Sequence, residues 1–126
     1  MELNVTTEIL SVEEARRRLG EVRVHVECIM EIALEADELQ ERESQAEGPQ
    51  PKAAARLDEL QAEFVRHTRA MNELGAVLKD AKTGLIDFYA WRKNEMVLLC
   101  WRHGEKTIEY WHGIDDGFGG RLAIDF

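Results

Sequence analysis

Ile86-Asp87-Phe88-Tyr89-Ala90-Trp91, then Lys93-Asn94, then Val97-Leu98-Leu99-Cys100-Trp101-Arg102 is the stretch that decides the fold. Side chains alternate in character on both sides of Lys93-Asn94, the period of a pleated strand, and those two residues suit a tight hairpin turn. A two-residue turn sets the register: Ala90 faces Val97, Phe88 faces Leu99 and Ile86 faces Trp101 on one surface. Asp87 faces Cys100 and Tyr89 faces Leu98 on the other. Downstream, Gly104-Glu105 reads as a second turn, and Ile108, Tyr110 and His112 alternate with Thr107, Glu109 and Trp111. A two-residue turn there would place Val97 opposite His112 on the apolar surface. It would also place Cys100 opposite Glu109, with Arg102 one diagonal step from Asp87 and Glu109. Three strands are thus predicted near 84–91, 95–102 and 107–112. Leu122 to Phe126 offers a short further edge strand.

Upstream the period changes. Ser11-Val12-Glu13-Glu14 has the form of a capping box. From it Val12, Ala15, Leu19, Val22, Val26, Ile29, Ala33 and Ala36 recur at spacings of three and four, a heptad seam. Gly48-Pro49-Gln50-Pro51 interrupts it. Leu57, Leu60, Phe64, His67, Met71 and Leu74 then repeat the seam, and Leu78 falls beyond a stop at Gly75. Two seams joined by a short loop predict an antiparallel helical hairpin. The expected fold is therefore α+β: one domain over 1–126, with helices at 12–45 and 53–75, a three- or four-stranded antiparallel meander at 84–112 packed on them, and a glycine-rich tail at 113–126.

Composition narrows the function classes. The 126 residues carry a formal net charge of −9, and 33% are charged. Residues 1–75 hold 17 acids and 9 bases, whereas the remainder holds 8 acids and 7 bases. An acidic helical part lacks the basic footprint that nucleic acid or an anionic membrane requires. Cys28 and Cys100 form no CxxC, so a reducing cytoplasm is expected in place of a disulfide scaffold. Met1-Glu2-Leu3-Asn4 lacks a basic and then apolar leader, and no apolar run approaches the ~20 residues that span a bilayer.

The string Gly84-Leu85-Ile86-Asp87-Phe88, Leu98-Leu99-Cys100-Trp101-Arg102, Gly104-Glu105, Tyr110-Trp111-His112 and Asp116-Gly117-Phe118-Gly119-Gly120-Arg121, with the capped Ser11-Val12-Glu13-Glu14-Ala15 start, resembles a prokaryotic family catalogued only as a domain of unknown function, number 2203. The resemblance covers most of the chain. It implies a fold and a bacterial or archaeal source, and no reaction. A Leu-Pro expected shortly after the capped start is absent.

Two classes of function remain. In the first the protein is a non-catalytic interaction protein and forms a homodimer, with Tyr89, Trp91, Leu98 and Trp111 as a shared aromatic surface, since so much exposed aromatic area marks an interface. A further protein partner would be of unidentified kind. In the second it is a small-molecule or metal-binding domain, or an enzyme, with a site drawn from Asp87, Cys100, Arg102, Glu105, His112, Asp116 and Arg121. No cofactor is named by these residues. Cys100, His103, His112 and Asp115 or Asp116 are zinc-ligand types, yet none has a zinc-motif spacing, and Cys100 and His112 fall on opposite surfaces in the expected register, so no metal is assigned. A Cys100–His112 nucleophile would work against the neighbouring carboxylates, which disfavour a thiolate. Gly117-Phe118-Gly119-Gly120-Arg121 could cradle an anion, but Asp115 and Asp116 repel one and no phosphate-loop context surrounds it. His67 interrupts an apolar seam and reads as a tolerated polar residue; a ligand role would need His25 or Glu27 across the hairpin.

Overall fold

The computed structural model describes residues 4–126; Met1-Glu2-Leu3, part of the start read above for a leader, lies outside the described residues. Helix α1 runs Val12–Gln45 and helix α2 runs Pro51–Glu73. The Ser11 side chain accepts from the Glu14 amide at 3.0 Å, and Glu13 and Glu14 lie in the first turn, where negative charge favours the helix start. Val12, Ala15, Leu19, Val22, Val26 and Ile29 are all buried, so the seam is the packing face. Beyond Ile29 the buried position moves to Ile32, and Ala33 and Ala36 are half-buried. Pro51 opens α2, where its missing amide costs nothing. The helix therefore begins and ends two residues earlier than the expected 53–75.

Gly75, at φ +90, turns the chain directly from α2 into strand β1 (Ala76–Asp80). A Cβ there would meet the Leu10 side chain at 2.9 Å, so the position takes glycine for both conformation and space. Strand β2 spans Leu85–Arg92, β3 Glu95–Arg102, β4 Tyr110–Gly113 and β5 Leu122–Ala123. They form one five-stranded antiparallel sheet in sequential order, packed against the helices. Strand β1 was not expected: Ala76-Val77-Leu78 lies beyond the stop at Gly75, is short and wholly apolar, and so lacks the alternation that marks the later strands.

The β2–β3 register is the expected one throughout, from Ile86 opposite Trp101 to Ala90 opposite Val97. Lys93, at φ 57, supplies the left-handed residue of the two-residue turn. The β3–β4 register is shifted by one residue. Leu98 lies opposite His112, Leu99 opposite Trp111 and Cys100 opposite Tyr110. The connection at 103–109 is a loop and no tight turn. Glu105 organises it: its carboxylate accepts from the Arg102 amide at 2.8 Å, and its carbonyl accepts from Trp101 Nε1 at 3.0 Å. Ile108 is fully buried there, and its carbonyl accepts both Arg16 Nε and Nη2 from α1.

That single-residue shift exchanges the faces of β4. Trp111 turns to the helix side and packs against the core, with the Arg92 guanidinium 4.6 Å from its ring centre. His112 turns to the outer face. Ile86, Phe88, Ala90, Val97, Leu99 and Trp101 form the inner face against the hairpin. Residues 4–10 run alongside as a strap: Asn4 Nδ2 donates to the Leu78 carbonyl at 2.7 Å, and the Leu10 amide to the Tyr89 carbonyl at 2.8 Å. Among the described residues no helix is long and apolar enough to cross a membrane.

Candidate functional site

The outer face of the sheet is not left to solvent. After β4 the chain turns at Gly113, where Asp116 N donates to the Gly113 carbonyl, and a single 3-10 turn at Phe118–Gly120 lies over the outer surface. Gly113 sits close beneath that loop: a Cβ there would lie 2.7 Å from Asp116 Oδ2. Arg121 clips the loop down. Its guanidinium stacks 4.0 Å from the Phe118 ring centre and 4.3 Å from that of Tyr110, and its Nη1 donates to Glu105 at 3.0 Å. Arg121 and Glu105 therefore hold the tail in place. An anion at the glycine-rich loop would have to compete with that ion pair.

Beneath the tail sit three polar side chains that the strands force together. Asp87 comes from β2, Cys100 from β3 and His112 from β4. Asp87 is 2% exposed, His112 4% and Cys100 not at all. One ligand-type atom from each lies within 4.8 Å of those of the other two, and among the described residues no other such group occurs. His112 Nε2 is 3.2 Å from Asp87 Oδ1. His112 Nδ1–H donates to the Gly113 carbonyl at 2.8 Å; a carbonyl only accepts, so this contact fixes the tautomer. The lone pair of Nε2 then points at a carboxylate oxygen. Two acceptors cannot share a short contact without a proton or another cation between them.

Electrostatics agree with that tension. Burial pushes the Asp87 carboxyl above the usual carboxylate range, and the adjacent His112 only partly offsets it. Burial, and then the Asp87 charge, push the Cys100 thiol up to about 12, with Arg121 opposing weakly from 4.0 Å. Cys100 is thus a neutral thiol, unsuited to nucleophilic attack. We expect iodoacetamide at pH 8 to label native protein once, at half-buried Cys28, and denatured protein twice. Mass spectrometry after a timed reaction reads this directly; rapid native labelling of Cys100 would mean that the tail opens freely.

A cavity of about 220 Å³ adjoins Asp87 and His112, walled by Leu98 from the sheet and by Ile114, Asp116 and Phe118 from the tail. Of the expected site residues, Asp87, Cys100 and His112 come together and Asp116 lines the cavity. Glu105 and Arg121 support it from the side. Arg102 is exposed and only approaches the Phe118 ring, 5.1 Å from its centre. Cys100 and His112 share a face, contrary to the register expected for β4. Phe118, Ile114 and Lys79 also belong to the cavity and were not anticipated. The phenylalanine within a glycine run was the available signal for Phe118.

The expected aromatic surface divides. Trp111 packs inward, Leu98 is buried beneath the tail, Tyr89 is half-buried, and Trp91 alone stays open at 54% exposure. His67 does meet His25, with Nδ1 to Nδ1 at 2.9 Å, and burial together with His25 holds His67 below the usual imidazole range. Glu27 pairs instead with His103.

A family model described as "Uncharacterized conserved protein (DUF2203)" matches residues 8–124. No curated protein and no solved structure matches the chain.

Proposed function

The chain belongs to the DUF2203 family, and from that premise we propose that it is a small-ligand-binding domain whose site is the pocket between the outer sheet face and the glycine-rich tail. One observation carries the reading: Asp87 and His112, two members of the buried Asp87–Cys100–His112 cluster, form the floor of a cavity of about 220 Å³. His112 and Asp87 are paired with each other and His112 with the Gly113 carbonyl, yet even a paired buried polar cluster gains little over well-packed apolar residues on a covered sheet face. The floor is therefore better explained by what it holds than by what it contributes to the fold. The volume suits a ligand of a few heavy atoms. The surrounding Leu98, Ile114 and Phe118 supply apolar wall beside the polar Lys79, Asp87, His112 and Asp116, the common mixed lining of a small-ligand site.

The test is native mass spectrometry of untagged protein purified without chelator, joined to thermal-shift measurements over a panel of small polar metabolites and metal salts. A retained adduct or a shift of at least about 2 °C is expected, corresponding to a few tenths of a kcal/mol or more of linked binding energy. Ile114→Trp should abolish the shift given by an organic probe and leave a metal signal in place, since Ile114 is half exposed and its enlargement narrows the cavity without touching the polar floor. Native protein with neither adduct nor shift would overturn the reading.

A second reading, pairing with another copy of the chain, draws on the far end of the hairpin. There Ala33, Leu57 and Phe64, with Asp37, Gln40, Asp58 and Gln61, line a groove of mixed character of about 420 Å³, and nearby Leu34 is 64% exposed. Two helices alone leave such a groove uncovered, and a second hairpin would complete a four-helix arrangement. Leu34→Glu should then halve the native mass measured by light scattering; an unchanged dimer, or a monomeric parent, would count against this face.

A further inference from the structure

We infer that Cys100 Sγ, His112 Nε2 and Asp87 Oδ1 are three ligands of one divalent transition-metal ion of the zinc class, with the fourth position turned to the cavity. This rests on the pocket being a binding site and says what its floor takes. Three observations support it independently of each other.

The first is placement. Tetrahedral zinc with bonds of about 2.0–2.3 Å sets its ligand atoms roughly 3.5 Å apart. One ligand-type atom of each of the three residues already lies within 4.8 Å of those of the other two, and His112 Nε2 and Asp87 Oδ1 are 3.2 Å apart. They come from neighbouring strands of a rigid sheet, so small rotamer changes and no backbone rearrangement would close the set.

The second is the outer support. Metal-bound histidine characteristically gives its remaining N–H to a carbonyl or carboxylate, which fixes the ring and aims the other nitrogen. His112 does so through Nδ1 to Gly113 at 2.8 Å. The nitrogen so aimed faces Asp87 Oδ1, where a cation would satisfy both acceptors at once.

The third is charge and ligand type. On binding the metal the Cys100 thiol would give up its proton to solvent, and the thiolate and the Asp87 carboxylate would then balance a dication, leaving the buried site neutral. Of the cations nearby, Arg121 is already paired with Glu105, and Lys79 lines the cavity beside Asp87. A sulfur, nitrogen and oxygen set selects zinc or cobalt over calcium or magnesium, which prefer oxygen alone. Three protein ligands are the number found where a metal keeps an open position, and Asp87 and His112 both line the cavity that would supply water or a small ligand to it.

The experiment titrates the full chain with Co²⁺ and then displaces it with Zn²⁺. One equivalent of Co²⁺ should give intense visible bands of tetrahedral cobalt and a near-ultraviolet thiolate-to-cobalt band. Cys100→Ser should remove the ultraviolet band, and Cys100→Ser and His112→Gln should each weaken Zn²⁺ binding at least about 100-fold in competition with a chromophoric chelator. His103→Gln, at a histidine outside the cluster, should leave both unchanged. Should the variants fail to fold, the spectrum of the unaltered protein decides. Octahedral cobalt without a thiolate band, or no uptake at 100-fold excess of metal over protein, overturns the assignment. If metal fails while an organic probe still shifts the melting temperature and Ile114→Trp abolishes that shift, the metal is overturned and the pocket reading stands. If every probe fails, both fall.

Discussion

Single substitution of Asp87 or His112 by alanine is expected to cost about 3–5 kcal/mol in the metal-free protein, because each leaves the other buried without its partner. Both residues are under 5% exposed, and their contact at 3.2 Å is, among the described residues, the one hydrogen-bonding pairing of side chains that joins β2 to β4 across β3. The double variant Asp87→Leu/His112→Leu should behave differently. It replaces both partners with apolar groups on a face already covered by Leu98, Ile114 and Phe118, with about 220 Å³ of space beside them. Buried ion pairs exchanged for well-packed apolar residues are commonly neutral or stabilising. The double variant should therefore lie within about 1–2 kcal/mol of the parent, or above it. Urea unfolding of the four proteins closes the cycle. If the double variant loses as much as the two singles together, the pair is simply part of the fold, and the case for a ligand at this floor weakens.

Trp101→Ala should cost a similar amount, about 3–5 kcal/mol, by a different route. Trp101 is the largest fully buried side chain, and its loss opens a void between the sheet and the hairpin. It also leaves the Glu105 carbonyl without the indole N–H. Since Glu105 carries Arg121, and Arg121 clips the tail, the damage should reach the outer face as well. Roughly 10–20 °C off the melting temperature follows for a chain of this length. Trp101→Phe, which keeps one aromatic ring but loses the pyrrole ring and its N–H, bears on the two effects unequally: it should recover much of the stability and leave the tail more open to proteolysis. A loss below about 1 kcal/mol for the alanine variant would mean that the core repacks around the hole.

Much of the architecture was legible in the pattern of residues, and the failures have local causes. The seam from Val12 to Ile29 and the cap at Ser11 are strong signals because burial and helical period coincide over many residues. Lys93-Asn94 sits between two long alternating runs, so the β2–β3 register could be written down pair by pair, and it is correct. Gly104-Glu105 looks like an equivalent turn but is not one. Glu105 is half-buried and spent on internal hydrogen bonds, and the chain needs several more residues to sink Ile108 into the core. One residue of slippage followed, with the consequence peculiar to sheets that every side chain of β4 changes face. The expected cluster of Asp87, Cys100, Arg102 and Glu109 dissolved. The cluster of Asp87, Cys100 and His112 formed in its place. No composition or spacing rule could have exposed it, because the three residues stand 13 and 12 positions apart along the chain and meet only through strand pairing.

The order of the sheet, each strand beside its neighbour in sequence, has a consequence for how the chain is made. Sequential pairing closes only short loops, so the meander should form quickly once its residues are available. The strap at residues 4–10 is the exception, since Asn4 waits for Leu78 and Leu10 for Tyr89. On the ribosome these first residues emerge long before their partners. Meanwhile α1 and α2 can associate, yet Val22, Val26 and Ile29 have no sheet to cover them. That interval leaves a greasy, half-built hairpin in the cell, which is the stage at which a chaperone would hold it and a protease would cut it.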